Sequence, residues 1–305
     1  MTGRPRTTSR TWFALVFLAV AAVASQVVAE GAIQRETVGP TVDWIQSPQL
    51  MRRLALSFDT LLADVYWIRS VQYYGDTKLS NEKKKEYDRL FPLLDMTTTL
   101  DPRFNIAYRF GAILLSEGYP NGAGNTKQAI ALLEKAINEM PEKWQYLHDA
   151  GFVEYWWNKD PSAAAKWLLR AADVPGSPSW LRPVAAGMLA EGGDERTARA
   201  LWTELEATAE HDWLRQAARR GLMQLDAEAV IAQLQPIVNK FHDTTGRFPA
   251  SWQEMVGARL LPGIPLDPSG RWPYTLDPAS GAIDVDRESP VFPLRRSGKM
   301  PTLAQ

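Results

Sequence analysis

Apolar residues follow three regimes along the chain. An apolar run from Trp12 to Ala29 contains no charged residue and follows Arg4, Arg6 and Arg10. From Leu50 the apolar positions recur instead at three and four residues, as Leu54, Phe58, Leu61, Leu62, Val65, Ile68 and Val71, in a stretch free of Gly and Pro. That spacing predicts an amphipathic helix reaching about Tyr74, because one face of an α-helix repeats every 3.6 residues. A polar break over residues 75–81 precedes a second helix carrying Tyr87, Leu90, Phe91 and Leu94 toward Leu100, with Asp101 and Pro102 as its stop and Pro92 expected to bend its start. After Leu225 the helical period fades. A helix from Asp226 to about Asp243, interrupted by Pro236, leads to a capping box, Ser251 with Glu254, that starts a short helix ending near Gly257. A proline-rich extended segment over 261–268 follows, and then two strands, Trp272 to Leu276 and Ala282 to Val285, around a turn at 277–281.

The N-terminal run has the layout of an export signal or signal anchor. As a helix rising 1.5 Å per residue it spans about 27 Å, close to the roughly 30 Å of a hydrocarbon core. Ala22-Val23-Ala24 offers a small-residue cleavage site, but the run continues through Val27, Val28 and Ala29, which favours an uncleaved anchor over residues 12–29. The arginines hold the N-terminus in the cytoplasm, so the expected location is a bacterial inner membrane crossed once, with the bulk of the chain periplasmic. Residues 30–49, with Gly31, Gly39, Pro40 and Pro48 and few apolar positions, read as a tether.

Between these ends the sequence repeats. Ala129, Ala164 and Ala198 recur at intervals of 35 and 34 residues. In the first unit Gly111 precedes Ala129, Leu133, Ala136 and Pro141; in the second Gly151 precedes Ala164, Leu168 and Ala171; in the third Ala186 precedes Ala198, Trp202 and Leu205. Each unit opens its second helix with a capping residue: Thr126, then Asp160 followed by Pro161, then Asp194 after two glycines. Residues and period resemble the tetratricopeptide repeat, a helix-turn-helix unit whose small residues let two helices approach closely. The resemblance covers residues 101–210, with 50–100 as a leading unit that lacks the small-residue signature and Trp213 to Leu225 as an extra helix. Tyr119 to Gly124 lengthens the first turn, and Ala186 stands where the repeat usually has Gly.

The resemblance implies a superhelix whose concave groove is lined by the first helix of each unit. Counted from Gly111, Gly151 and Ala186 as equivalent positions, the implied groove residues are Asn105 and Tyr108, then Gln145, His148, Tyr155 and Trp156, then Trp180. Aromatics there offer large contact area at small entropic cost, which suits a partner protein's peptide or helix. Relatives that hold a C-terminal carboxylate place Lys and Asn in this groove; no Lys occupies those positions here, so that ligand is not expected. Farther on, Thr245-Gly-Arg-Phe-Pro249, the turn-rich Ile264 to Gly270, Tyr274 and Gly281 resemble the soluble part of type II secretion pseudopilins and pilin-like proteins. Neither an adjoining apolar pilin helix nor an Asp-rich calcium loop accompanies them, so the expected role is to cap the array or meet a partner.

Composition narrows the chemistry. Lys and Arg total 34 against 35 Asp and Glu, a net charge of -1, so no basic field favours nucleic acid. Without residues 1–29, which hold three arginines and no acid, the remainder is mildly acidic. The absence of Cys removes disulfides, thiolate catalysis and Cys-ligated metal, and the three histidines, His148, His211 and His242, lie far apart in sequence. No phosphate loop or nucleophile elbow is present, and a calcium loop starting at Asp277 fails at Ala279, Gly281 and Ala282. The expectation is therefore a mainly α protein without catalytic residues, metal or cofactor: an anchor at 1–29, a tether at 30–49, a tetratricopeptide-like helical domain at 50–225, a small α+β pilin-like module at 226–292 and a tail at 293–305. Its expected function is a membrane-tethered extracytoplasmic scaffold for another protein, in envelope assembly, secretion or a pilus-like machine. Two rivals stay open: a cell-wall or glycan-binding module that uses some of the 12 Trp as exposed platforms, and an enzyme with an unrecognised site.

Overall fold

The computed structural model describes residues 47–294 and a few positions between 17 and 25. The expected anchor, tether and tail fall almost entirely outside those residues. Among the described residues no helix is long and apolar enough to cross a membrane.

The helical region is built from α1 (Pro48–Leu54), α2 (Asp59–Leu79), α3 (Leu90–Leu100), α4 (Asn105–Ser116), α5 (Thr126–Glu139), α6 (Trp144–Val153), α7 (Pro161–Ala172), α8 (Leu181–Glu191), α9 (Glu195–Thr208) and α10 (Asp212–Thr245). These stack as two layers. Helices α2, α4, α6 and α8 lie side by side and run the same way, as contacts at matching depths show: Trp67 meets Phe104 at 6.0 Å between rings, while Lys78 binds Glu117 at 2.8 Å. One step on, Tyr108 meets Tyr146. At the next step Trp144 meets Trp180 and the Tyr155 hydroxyl donates to Glu191. The second layer holds α3, α5, α7 and α9. Lys135 on α5 ties it to α3 by donating to Asp95 Oδ1 at 2.6 Å and to the hydroxyls of Thr98 and Thr99.

Small residues set the spacing between layers. A Cβ at Gly111 would lie 2.9 Å from Leu94, and one at Gly151 would lie 3.2 Å from the Ala164 carbonyl and from Leu168. Ala129, Ala164, Ala186 and Ala198 are fully buried, as their alignment in the repeat predicts. Trp202 is also buried, whereas Trp167 is half-exposed with the Arg170 guanidinium over its ring. Asp160 and Asp194 cap their helices by accepting from the N–H groups of Ala163 and Thr197. In the first unit the cap is Asn125, which accepts from Gln128, and not Thr126. The second unit carries one more residue between Gly151 and Ala164 than the third has between Ala186 and Ala198. A π turn, Glu154–Asn158, absorbs it and ends on Lys159 in the left-handed region.

Three of the helices differ from the pattern-based expectation. The helix expected from Leu50 to Tyr74 is broken between α1 and α2, where Leu56 and Ser57 adopt φ values of 48° and 74°. Pro92 does not bend α3, because the helix begins at Leu90 and the proline falls in its first turn, where no intrahelical donor is lost. Helix α10 runs unbroken through the expected boundary at 225/226 and through Pro236, and stops at Gly246 in the left-handed region. Its first half packs on α9, with Arg219 on Glu206 and Arg199 on Asp226, each at 2.7 Å. From Ala227 onward it supplies Ala227, Leu234, Val238 and Phe241 to the core of the C-terminal module.

That module contains α11 (Trp252–Gly257), capped by the Ser251 hydroxyl, and an antiparallel pair, β1 (Thr275–Leu276) and β2 (Ile283–Asp284). The strands are shorter than predicted, at two residues each. Asp267 is buried and organises the extended segment by accepting from Ser269 Oγ at 2.6 Å and Ser289 Oγ at 2.5 Å.

Candidate functional site

The outer face of the α2, α4, α6 and α8 layer is the surface on which the predicted groove residues were placed. Tyr108 does not belong to it. That side chain is fully buried, packs edge-on against Tyr146 at 5.8 Å and hydrogen-bonds the Thr98 carbonyl. The reason is rotational. Gly111 faces Leu94 and Leu132, and Tyr108, three residues earlier, shares that inward side of α4. Burial raises the Tyr108 phenol and pushes that of Tyr146 up to about 12, so both stay neutral.

The remaining positions form two groups, with Asn105 and Gln145 outside both. His148 and Trp180 meet at 5.6 Å with rings almost perpendicular, and Trp144 stands edge-on to both at 6.1 Å. Tyr155 and Trp156 lie together on the π turn, 5.6 Å apart, with Lys159 over the Trp156 ring. Asn105 is exposed at the start of α4. Gln145 is half-buried, and its side-chain oxygen is enclosed without a hydrogen-bond partner in the chain.

Several surface residues escape the sequence count. Ile106, Phe110 and Ile113 are exposed by 51%, 57% and 40%, a row along the side of α4 turned away from α5, and Phe152 on α6 is exposed by 39%. Arg109 crosses from α4 to α6 and holds Asp149 through two bonds, Nε to Oδ2 at 2.5 Å and Nη2 to Oδ1 at 3.1 Å. Donating to the Asp149 carboxylate raises the Arg109 guanidinium further, keeping it charged. The Nδ1 of His148 lies 3.2 Å from the same carboxylate. A signal for Arg109 and Asp149 existed in the sequence: each stands two residues before the glycine of its unit. Opposite charges at equivalent positions of parallel neighbours are placed to meet. The apolar row had no such signal, because its spacing is that of any buried helix face.

Chemically this face offers apolar and aromatic contact area around a fixed, half-buried ion pair. Among the described residues no group of three or more His, Asp or Glu is placed to hold a metal ion. No family model, curated protein or solved structure matches the chain.

Proposed function

We propose that the protein is a membrane-tethered, extracytoplasmic scaffold that binds another protein on the outer face of the α2, α4, α6 and α8 layer. The observation that carries this reading is the exposed row Ile106, Phe110 and Ile113, extended by Phe152 and bordered by the Arg109–Asp149 pair. Soluble chains rarely leave such apolar surface uncovered. Positions four and three residues apart form one apolar stripe along α4, against which a partner's apolar helix face can pack, and the Arg109–Asp149 pair gives a polar border that fixes register. The apolar run at residues 12–29 supports membrane anchoring with the array on the far side of the membrane. The repeat and pilin-like resemblances support a place in envelope assembly, with the C-terminal module closing the end of the array. Glycan binding draws less support, because the Trp144 and Trp180 rings cross at 84° and form no flat platform.

The test replaces Phe110 and Phe152 with alanine in the full chain, expressed in its native cell and chemically crosslinked before purification. Both side chains are exposed, so helical circular dichroism should be unchanged. The protein co-purified with wild type should be lost. Full retention of that protein would refute the assignment of the face.

A further inference from the structure

The leading end of the array carries a second apolar surface, apart from the face assigned to the partner protein. Leu50 and Leu54 on α1, Leu56 and Phe58 in the turn, and Leu61 in the first turn of α2 are all exposed by more than half, with Leu56 at 80%. The core takes little from this end: Met51 and Ala55 join Ala63, Tyr66, Met96 and Leu100, and the five exposed apolar side chains point outward. Leu56 is held in that position by a left-handed backbone that leucine rarely adopts. Arg52 and Arg53 are exposed in the last turn of α1, among these side chains. The acids nearest in sequence are Asp43, outside the described residues, Asp59, half-buried with one carboxylate oxygen enclosed, and Asp64, a turn farther along α2.

We infer that α1 and the turn after it dock on an anionic phospholipid surface beside the point where the tether leaves the membrane. This rests on the membrane-tether reading. Two observations favour lipid over a protein occupant. The first is composition: leucine and phenylalanine interleaved with arginine, on a short helix and turn at the end of a domain, is the makeup of an interfacial segment. Its apolar side chains enter the acyl boundary and its cations meet phosphate groups. The second is distance. The apolar run ends at Ala29 and α1 begins at Pro48, so residues 30–47 separate them, a length for which an unstructured chain would have a root-mean-square span of about 24 Å. The patch is thereby confined near the bilayer, where a weak surface affinity suffices for occupancy. Docking there would fix the orientation of the stacked layers relative to the membrane.

The chain has no cysteine, so single-cysteine labelling with an environment-sensitive fluorophore is unambiguous. The full chain is reconstituted into phosphatidylglycerol vesicles with the label in turn at Val20→Cys in the apolar run, Leu56→Cys in the patch, and Leu79→Cys at the far end of α2. Circular dichroism confirms the fold of each. The expected result is blue-shifted emission and loss of iodide quenching at positions 20 and 56, with position 79 remaining water-exposed. Position 20 shielded and position 56 as open as position 79 would overturn the inference and leave the tether intact. Position 20 open with position 56 shielded would support the patch and refute the anchor; both open would refute both. Shielding at all three would mean nonspecific adsorption and would also overturn it. With Arg52→Glu and Arg53→Glu, or in phosphatidylcholine vesicles, shielding at position 56 should fall; equal shielding in either case would refute the anionic-lipid assignment.

Discussion

Replacing Gly221 by alanine probes the packing of α10 on α9 at its tightest point. A Cβ added there would sit 2.4 Å from Cε2 and 2.7 Å from Nε1 of Trp202. Apolar carbons rest at about 3.5–4.0 Å, so the contact is far inside the repulsive wall. The indole cannot swing aside, because Trp202 is buried in one cluster with Ala165, Ala186, Ala198, Leu205 and Ala218. Overpacking of this kind costs about 1–3 kcal/mol, whereas exchanging glycine for alanine inside a helix returns about 1 kcal/mol. With a contact this short we expect a net loss of about 1–2 kcal/mol, read as a fall of several degrees in the helical melting midpoint. The control is Gly75 within α2, where an added Cβ meets nothing within 4 Å and alanine should stabilise by about 0.5–1 kcal/mol. In a Trp202→Leu background the clash is gone and Gly221→Ala should become neutral or stabilising. The double-mutant cycle should then show a coupling of about 1–3 kcal/mol. A wild-type background in which Gly221→Ala raises the midpoint as Gly75→Ala does would refute the close helix pairing.

Two further substitutions test other parts of the fold. Burial pushes the Asp267 carboxyl up, but the bonds from Ser269, Ser289 and the Trp272 N–H outweigh it and hold the group below its ordinary value. A depressed carboxyl contributes stability that is fully present above the unfolded value of about 3.9 and is lost as pH falls through the folded value. Tryptophan fluorescence of the C-terminal module should therefore report an acid transition below about pH 4. Asp267→Asn should weaken that transition and cost about 1–3 kcal/mol at neutral pH; an unchanged acid profile would show that Asp267 does not hold the segment. Lys135→Met strips Asp95, Thr98 and Thr99 of a shared donor and should cost about 1–2 kcal/mol in urea unfolding, against no change if the α3–α5 link is incidental.

Much of the helical stack was legible because close packing leaves a spaced record in the sequence. Ala129, Ala164 and Ala198 recur at a nearly constant interval, and the capping aspartates stand where the second helices begin. What was not legible depends on tertiary contacts. Nothing in residues 50–74 marks the break at Leu56 and Ser57, since neither Gly nor Pro is there; the turn is imposed by how α1 and α2 meet α3. Pro236 suggested an interruption, yet α10 continues, because burial of residues on both sides of it outweighs one missing backbone donor. The face of α4 was misjudged at Tyr108 for a related reason. Alignment by Gly111 and Gly151 fixes which residues are equivalent, but not how far each helix is rotated about its axis. Tyr155 and Trp156 stand on a π turn, where counting from Gly151 no longer follows the 3.6-residue period.

The central claim is that one face of the stacked helices receives a protein. Site-specific photo-crosslinking in the native cell tests it most directly, with a benzophenone amino acid at Phe110, Phe152 or Trp180 on that face, and at Lys166 on α7 in the second layer as the contrast. We expect the first three positions to trap the same protein, identified by mass spectrometry, and Lys166 to trap none of it. Adducts confined to Lys166, or different proteins at Phe110 and Phe152, would contradict the claim.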